Sequence, residues 1–451
     1  MTKKILMICN HFAPDNTIAA VRMTKFAKCL KENGYDITVL AEKKENIVED
    51  DILKRDAQGI NVIRIDNTRI IKIFIYIYKT IISPIKERGF NNLDNRMRIN
   101  EKTGKFEFYT YEAIHPFIGS MDYVVELLRQ YDLFKGARKY IRDYQNVNLI
   151  FTSYGDYFSL FSGYYFSKKN KAVPWVLDIR DNICRYKFTP KYMCWLAKLF
   201  EHKSWKTAKC IIGVSKGICR HIPKQHWKKV HCITNGYDKR DREGLTPVKL
   251  TGDKLRFVYT GSMYGGLQNL SPIFKSIKRA IYEKKVDKKK IEVCFAGKKS
   301  AYEVFLSQAE KYNLDMNCRY YGQLTRKEAM KLQMEGDILM VSSFDYQTGI
   351  GGVITGKALE YMSADKPIMA VVNGDIKDSE LGEIIKNANL GVVYEEARGA
   401  EDEESLYRFL LEKYREYEET GKVQVTSKKE VLRKYDYYYL GKRFLKVIEK
   451  I

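Results

Sequence analysis

Gly349 to Ala370 reads GIGGVITGKALEYMSADKPIMA, a glycine-rich turn that runs into a short helical pattern and then into an apolar strand. Gly349, Gly351, Gly352 and Gly356 allow close approach of the backbone to a ligand. The first turn of the helix adds unpaired N–H donors and the positive end of its dipole, which suits a phosphate. Lys357 and Glu360 are three residues apart and share one helical face. A cation beside a phosphate, with a carboxylate able to accept two sugar hydroxyls, would clamp a nucleotide diphosphate and its ribose. An ordinary capped helix with solvated Lys and Glu fits the local pattern as well. Ala358, Leu359 and Met362 form the anchoring side, and Asp365 to Val372 turns into a buried strand, so the helix belongs to an α/β layer.

The two halves of the chain repeat one pattern. Lys4 to Cys9 reads as a buried strand, His11 to Thr17 as a loop, Ala19 to Asn33 as an amphipathic helix ended by Gly34, and Tyr35 to Ala41 as the next strand. Leu255 to Tyr259 opens a second such unit, followed by a glycine-containing loop at Gly261 to Gly266 and a helix through Ile281. Further short strands are expected at 291–296, 318–321, 338–341 and 368–372. The pattern predicts two doubly wound parallel sheets with ligand crevices at the carboxyl ends of their strands. Polar residues from Asp238 to Asp253 make a linker, which gives domains over 1–245 and 246–430 and a closing helix over 431–451 that packs back towards the first domain.

At 451 residues with 45% hydrophobic side chains, the chain is long enough to bury two cores. Nine scattered cysteines without a C-x-x-C pair point to free thiols in a reducing cytoplasm, not to disulfides or a zinc site. The short apolar run after Met1 is too brief for a signal segment, and no stretch has the length of a membrane-spanning helix. Charge is uneven: residues 1–250 hold 45 Lys+Arg and 26 Asp+Glu, and residues 251–451 hold 34 and 30. A basic amino-terminal half suits an anionic lipid surface or a phosphate-bearing substrate, or merely a soluble surface. No recognisable nucleic-acid module accompanies the charge, so nucleic acid is not expected as a partner.

Leu359-Glu360-Tyr361-Met362-Ser363-Ala364-Asp365-Lys366-Pro367 resembles the second half of the donor-binding segment of the GT-B glycosyltransferases, in particular the family-4-like group of bacterial surface-polysaccharide enzymes. The first half departs from that pattern, with Gly352 where the family carries a glutamate. His11-Phe12-Ala13-Pro14-Asp15 and the segment around Arg22 resemble the family's first loop and helix. Trp175 to Asp181 resembles its D-x-R-D segment, and Ile211 to Ser215 with Asn235-Gly236-Tyr237-Asp238 resembles the end of its amino-terminal domain.

The resemblance implies a GT-B fold and transfer of a sugar from a nucleotide diphosphate, expected to be a UDP-sugar, to a lipid-linked or polysaccharide acceptor, with retention and without a metal or other cofactor. It implies a donor site formed by Thr260, Gly261, Ser262, Lys298, Gly352, Thr355, Gly356, Lys357 and Glu360. It places Asn16, Arg22, Asp178 and Arg180 on the acceptor side. Lys357 is expected to stabilise the leaving diphosphate electrostatically and Asp181 to take the acceptor's proton, although capping a loop or pairing Arg180 explains Asp181 equally. A nucleotide-sugar epimerase or a phosphorylase with the same clamp is the alternative.

Two segments mix apolar and basic residues. Ile70 to Ile85 is IIKIFIYIYKTIISPI, and Tyr192 to Lys209 carries Trp195, Leu199, Phe200 and Trp205 among lysines. Such a mixture suits an interfacial surface on anionic lipid, and equally suits core. The expected location is therefore the cytoplasm, peripheral to the inner face of the cell membrane.

Overall fold

The computed structural model describes residues 3–45, 47–82, 97–99, 106–108, 116–143, 146–181, 191–263, 267–345 and 354–451. The chain divides into two compact units, unit 1 (Met1–Val214, Ile218–Ile233 and Arg443–Ile451) and unit 2 (Ser215–Gly217 and Thr234–Lys442).

In unit 1, β1 (Lys4–Cys9), β2 (Asp36–Glu42), β3 (Asn61–Ile65), β6 (Leu149–Tyr154), β7 (Trp175–Ile179), β8 (Cys210–Gly213) and β9 (Val230–Cys232) form one parallel sheet in the order β3-β2-β1-β6-β7-β8-β9. Met97–Ile99 (β4) and Phe106–Phe108 (β5) pair separately. Its helices are α1 (Ile18–Glu32), α2 (Asp51–Asp56), α3 (Arg69–Ile77), α4 (Pro116–Asp143), α5 (Tyr157–Lys169) and α6 (Lys191–Thr207), with α7 (Lys216–His221) straddling the division. β6 and β7 are buried along their whole length, because helices cover both faces of the sheet. Thr17 starts α1 by accepting a hydrogen bond from the Ala20 N–H, and the buried stripe of α1 includes Met23, Phe26 and Leu30.

Unit 2 repeats the plan with β10 (Leu255–Thr260), β11 (Ile291–Ala296), β12 (Cys318–Tyr320), β13 (Ile338–Asp345), β14 (Ile368–Gly374) and β15 (Gly391–Glu395), in the order β12-β11-β10-β13-β14-β15. Its helices are α8 (Ser271–Tyr282), α9 (Lys299–Glu310), α10 (Arg326–Glu335), α11 (Gly356–Tyr361), α12 (Glu380–Asn387), α13 (Ala400–Thr420) and α14 (Lys429–Leu432). The closing helix α15 (Tyr437–Glu449) begins in unit 2 and ends in unit 1. Leu406, Tyr407, Leu410, Tyr414 and Tyr417 give α13 the apolar stripe that joins the unit 2 core. In both sheets the strand order reverses beside the first strand, next to β6 in unit 1 and next to β13 in unit 2. The carboxyl ends of β1 and β10 therefore border the crevices of a doubly wound sheet.

The division falls earlier than the expected boundary at 245, and later than the one at 430. The polar segment read as a linker is anchored in unit 2: Arg242 is buried and bonds to Ser363 Oγ (2.7 Å), the Met330 carbonyl (3.0 Å) and Gln333. Tyr237 donates its N–H to the Tyr435 carbonyl at 3.0 Å. At the other end, Phe444 stacks on Phe26 with ring centroids 4.3 Å apart, which binds the last turns of α15 into unit 1.

Arg22 and Asp178 require a correction. Both side chains are fully buried, with Nη2 to Oδ1 at 2.5 Å and Nε to Oδ2 at 3.1 Å, and Ser153 donates to the same carboxylate at 3.2 Å. A pair with no solvent-facing atom cannot present itself to an acceptor; it ties α1 to β7 and β6. Truncating Asp178 to Ala removes the carboxylate that balances the buried Arg22 guanidinium and is expected to destabilise unit 1 by about 3 to 5 kcal/mol. The double variant Arg22→Met/Asp178→Leu is expected to recover most of that loss in urea unfolding. Equal losses in both variants would show that the pair itself, and not the unbalanced buried charge, sets the stability.

Candidate functional site

The carboxyl end of β10 and the helix α11 bring most of the expected donor residues together within unit 2. Gly261 leaves the strand with φ at +100°, a conformation that favours glycine, and a Cβ there would lie 2.8 Å from Lys357 Cε. The glycine thus makes room for the Lys357 stem. Lys357 Nζ sits 4.7 Å from the Tyr259 ring centroid, donates to the Tyr259 hydroxyl at 2.9 Å, and donates to the Ser262 carbonyl. Burial pushes its ammonium down to about 7, and no charged group among the described residues offsets that effect.

Glu360, one turn along α11, is already held. Arg326 Nε donates to Oε2 at 3.1 Å and Gln333 Nε2 to Oε1 at 2.7 Å, while Arg326 reaches Asp241 at 2.9 Å with its Nη2. The fixed carboxylate keeps part of its surface open, with 20% of the side chain exposed. Two bonds leave lone pairs for further donors such as sugar hydroxyls.

The remaining donor-side expectations divide. Thr355 caps α11 by accepting from the Ala358 N–H, and Gly356 begins the helix. Ser262 is exposed, and Lys298 is exposed at the start of α9, just past the carboxyl end of β11. Gly352 lies outside the described residues. Thr260 needs correction as a hydroxyl donor to a ligand: it is buried, and its Oγ1 is occupied by Gln333 (2.9 Å) and the Tyr361 hydroxyl (3.2 Å). Tyr361 also accepts from the Thr260 N–H at 2.9 Å, and burial pushes its phenol up to about 12, so it stays protonated. The Gly261 N–H is likewise occupied, by the Ala296 carbonyl at 2.6 Å.

Arg242, Tyr259, Arg326, Gln333 and Tyr361 are the residues that sequence reasoning missed. Arg326 and Gln333 were within reach, because Thr325-x-x-Glu328 is a capping box that starts α10 at Arg326, and positions 326, 330 and 333 then fall on one face. Arg242 carries no such signal, since it stands in a run of charges that looks solvated.

In unit 1 the carboxyl ends of β1, β6 and β7 carry a second polar group. His11 Nδ1 lies 2.8 Å from Asp15 Oδ2, and Lys44 Nζ lies 3.2 Å from the same oxygen. Burial works to raise the Asp15 carboxyl, but the hydrogen bond with His11 and the charge of Lys44 outweigh it and hold the group below its ordinary value. Asp156 follows β6, caps α5 through the Ser159 N–H, and stands 3.8 Å from Arg180 Nη2; burial pushes its carboxyl upward. Gly155 permits this, since a Cβ would meet the Arg180 guanidinium at 2.5 Å. Asn10 Oδ1, Asp156 Oδ2 and Arg180 Nε are buried with no hydrogen-bond partner among the described residues. Asn16, half-buried, precedes α1, and Asp181 is exposed just beyond β7. Of the expected acceptor-side residues, Asn16 and Arg180 thus reach this edge, while Arg22 and Asp178 lie beneath it.

No protein-family model matches the chain, and no curated protein matches it in sequence. Solved structures match over the full length. A trehalose-phosphate synthase (UDP-forming) from Burkholderia vietnamiensis is 12% identical, with 100% of both chains covered and a TM-score of 0.60. HepE from Anabaena, solved in complex with UDP, is 11% identical over 99% of this chain and 100% of its own, with a TM-score of 0.59. The lipopolysaccharide outer core galactosyltransferase WaaB is 11% identical over 99% of both chains, with a TM-score of 0.57. At such identities the likeness is one of fold, and the fold is the two-sheet GT-B architecture expected from the sequence.

A lysine whose folded value is depressed to about 7 must take up a proton to meet an anion near pH 8. Nucleoside diphosphate binding is therefore expected to consume close to one proton at pH 8 and to weaken by up to about tenfold per pH unit above 8, since each proton required adds that slope. Calorimetry in buffers of different ionisation enthalpy measures the uptake. Wild-type binding without proton uptake, or uptake that survives Lys357→Ala, would contradict the assignment.

Proposed function

We propose that the protein is a glycosyltransferase that moves a sugar from a nucleoside diphosphate, a UDP-sugar, to a hydroxyl of a lipid-linked or polysaccharide acceptor. One observation carries this reading: a single helix, α11, presents the Lys357 cation, with no carboxylate against it among the described residues, and one turn later the clamped Glu360 carboxylate, beside the carboxyl end of β10. A cation and a fixed acceptor at that spacing match a diphosphate and a ribose.

In this mechanism the glycosidic carbon–oxygen bond to the diphosphate breaks, the acceptor oxygen bonds to the anomeric carbon, and negative charge grows on the departing phosphate. Lys357 meets that charge, an electrostatic contribution largest in the transition state. Glu360 holds the ribose through charge-assisted hydrogen bonds, with Arg326 and Gln333 fixing its orientation. The acceptor's proton passes to Asp181 or to an oxygen of the departing phosphate on the same face, which accords with retention. The unpartnered polar atoms of Asn10, Asp156 and Arg180 suit a hydroxyl-rich acceptor.

The surface of unit 1 supports an anionic membrane as the place of work. None of the residues of α3 is buried, and Ile70, Ile73 and Tyr76 are 79%, 51% and 69% exposed. On α6, Trp195 is 67% exposed while Ala197 and Trp205 are buried, so one side of that helix belongs to the core and Trp195 stands outside it. Arg69, Lys72 and Lys79 stand among the apolar side chains of α3 and the turn after it, and residues 83–85 lie outside the described residues. No helix among the described residues is long and apolar enough to cross a membrane. An interfacial helix of this kind inserts apolar side chains among acyl chains while its lysines meet anionic headgroups.

Two measurements test these claims. Glu360→Gln is expected to weaken binding of the nucleotide sugar that stabilises the wild type by about 10- to 100-fold, the equivalent of a charge-assisted bond of about 1.5 to 3 kcal/mol, with the fold intact. Unchanged affinity would remove Glu360 from the site, and sugar epimerisation without any hydroxyl acceptor would replace the transferase with an epimerase. For the membrane, Ile70→Ser/Ile77→Ser is expected to reduce sedimentation with anionic vesicles at least tenfold without altering donor affinity. Equal wild-type binding to zwitterionic and anionic vesicles would rule out the anionic surface.

A further inference from the structure

Residues 157–236 contain 16 Lys+Arg and three Asp+Glu. Asp178 and Glu201 are buried, which leaves Asp181 as the one acidic side chain of that segment exposed at the surface. Five of these lysines meet at the amino-terminal edge of the unit 1 sheet, the edge opposite to His11, Asp156 and Arg180. There an open cleft of about 740 Å³ is lined by Lys168, Lys171, Lys206, Lys209 and Lys229, with the buried Trp175 and its neighbours behind them.

Topology assembles the group. Lys171, Lys209 and Lys229 stand in the segments that enter β7, β8 and β9, three adjacent strands, and Lys168 and Lys206 come from the last turns of α5 and α6. Among the described residues no acidic side chain lines the cleft. Ile451 borders it as well, and even a carboxylate there would leave a large positive excess.

Helix ends account for part of this charge. Lys168 and Lys206 complement the negative ends of their helices, and Lys229 Nζ donates to the Ala208 carbonyl at 2.7 Å. Lys171 and Lys209 have no such explanation: among the described residues their ammonium groups have no carboxylate or carbonyl partner. Several surface lysines of unit 2 do have carboxylate partners, as in Lys216 with Glu383 (2.7 Å), Lys275 with Glu403 (2.5 Å) and Lys290 with Glu418 (2.8 Å). Five ammonium groups around one concavity repel one another, and burial together with the Lys209 charge holds Lys229 below its ordinary value. An anion that bridges several of them removes that repulsion, and concave walls strengthen its field.

We propose that this cleft is an anion-binding site, separate from the donor site of unit 2, for a ligand carrying two or more clustered phosphate groups, supplied either by a soluble polyphosphorylated molecule or by the headgroups of an anionic lipid. A single phosphate engages too few of the lysines; clustered phosphates span the segments entering three strands. The inference does not depend on the donor reading.

The test compares two triple variants of equal charge, Lys171→Gln/Lys206→Gln/Lys209→Gln in the cleft and Lys3→Gln/Lys135→Gln/Lys139→Gln elsewhere on unit 1. One arm titrates inorganic tripolyphosphate with UDP present throughout; the other measures sedimentation with phosphatidylglycerol vesicles against phosphatidylcholine vesicles. The cleft variant is expected to lose at least tenfold in affinity in one arm or both, while the control variant keeps wild-type binding and both keep wild-type affinity for UDP. A loss confined to tripolyphosphate identifies a soluble ligand, and a loss confined to vesicles identifies the lipid headgroup. If the two variants behave alike in both arms, including no binding by any form, the cleft is not an anion site.

Discussion

The clamp on Glu360 is the constraint around which unit 2 is organised. A carboxylate on a six-residue helix has little rigidity of its own, yet Arg326 and Gln333 from α10 hold both of its oxygens, and Asp241 holds Arg326 in turn. Gln333 also engages Thr260, which meets Tyr361, so the end of β10 and the start of the following loop are fixed by the same bonds. Inside a protein such a network is costly if any member is left unpaired, which makes its geometry well defined. Lys357 stands at its border with no carboxylate against it among the described residues. The combination gives a rigid acceptor of hydrogen bonds next to a cation that gains most when an anion arrives.

Unit 1 separates structural from functional polarity by depth. Arg22 and Asp178 share a fully buried, bidentate pair that spans α1 and β7, whereas Arg180, two residues further along the chain, reaches the strand ends beside Asp156. Two residues of one motif thus perform different work because β7 ends at Ile179, which leaves Asp178 within the sheet and Arg180 past the strand end. The apolar helix α3 and the lysine cleft occupy other parts of the same unit.

Much of the fold was legible. Runs such as Lys4 to Cys9 and Leu255 to Tyr259 are short, apolar and β-rich, and they became β1 and β10 because a parallel sheet buried on both faces needs continuous apolar strands. Lys357 and Glu360 were legible as neighbours because helical spacing puts them on one face. What the sequence concealed was depth and partnership. Arg22 and Thr260 sit in segments expected to face a ligand crevice, but whether a polar side chain points outward or into a buried network depends on which elements pack above it. Arg242 shows the reverse: a charge in an apparent linker is drawn into unit 2 by the Met330 carbonyl, Gln333 and Ser363. For α3 the apolar pattern fitted core and membrane surface alike, and the exposure of Ile70 and its neighbours is what sets it apart from the core.

The most direct test of the account is a crystal structure of the protein with bound UDP. The account predicts diphosphate oxygens within hydrogen-bond distance of Lys357 Nζ, ribose hydroxyls on the Glu360 carboxylate, and the contacts from Arg326 and Gln333 to Glu360 retained. UDP bound elsewhere, or bound with Lys357 Nζ still directed to Tyr259 and the Ser262 carbonyl and Glu360 untouched, would contradict it.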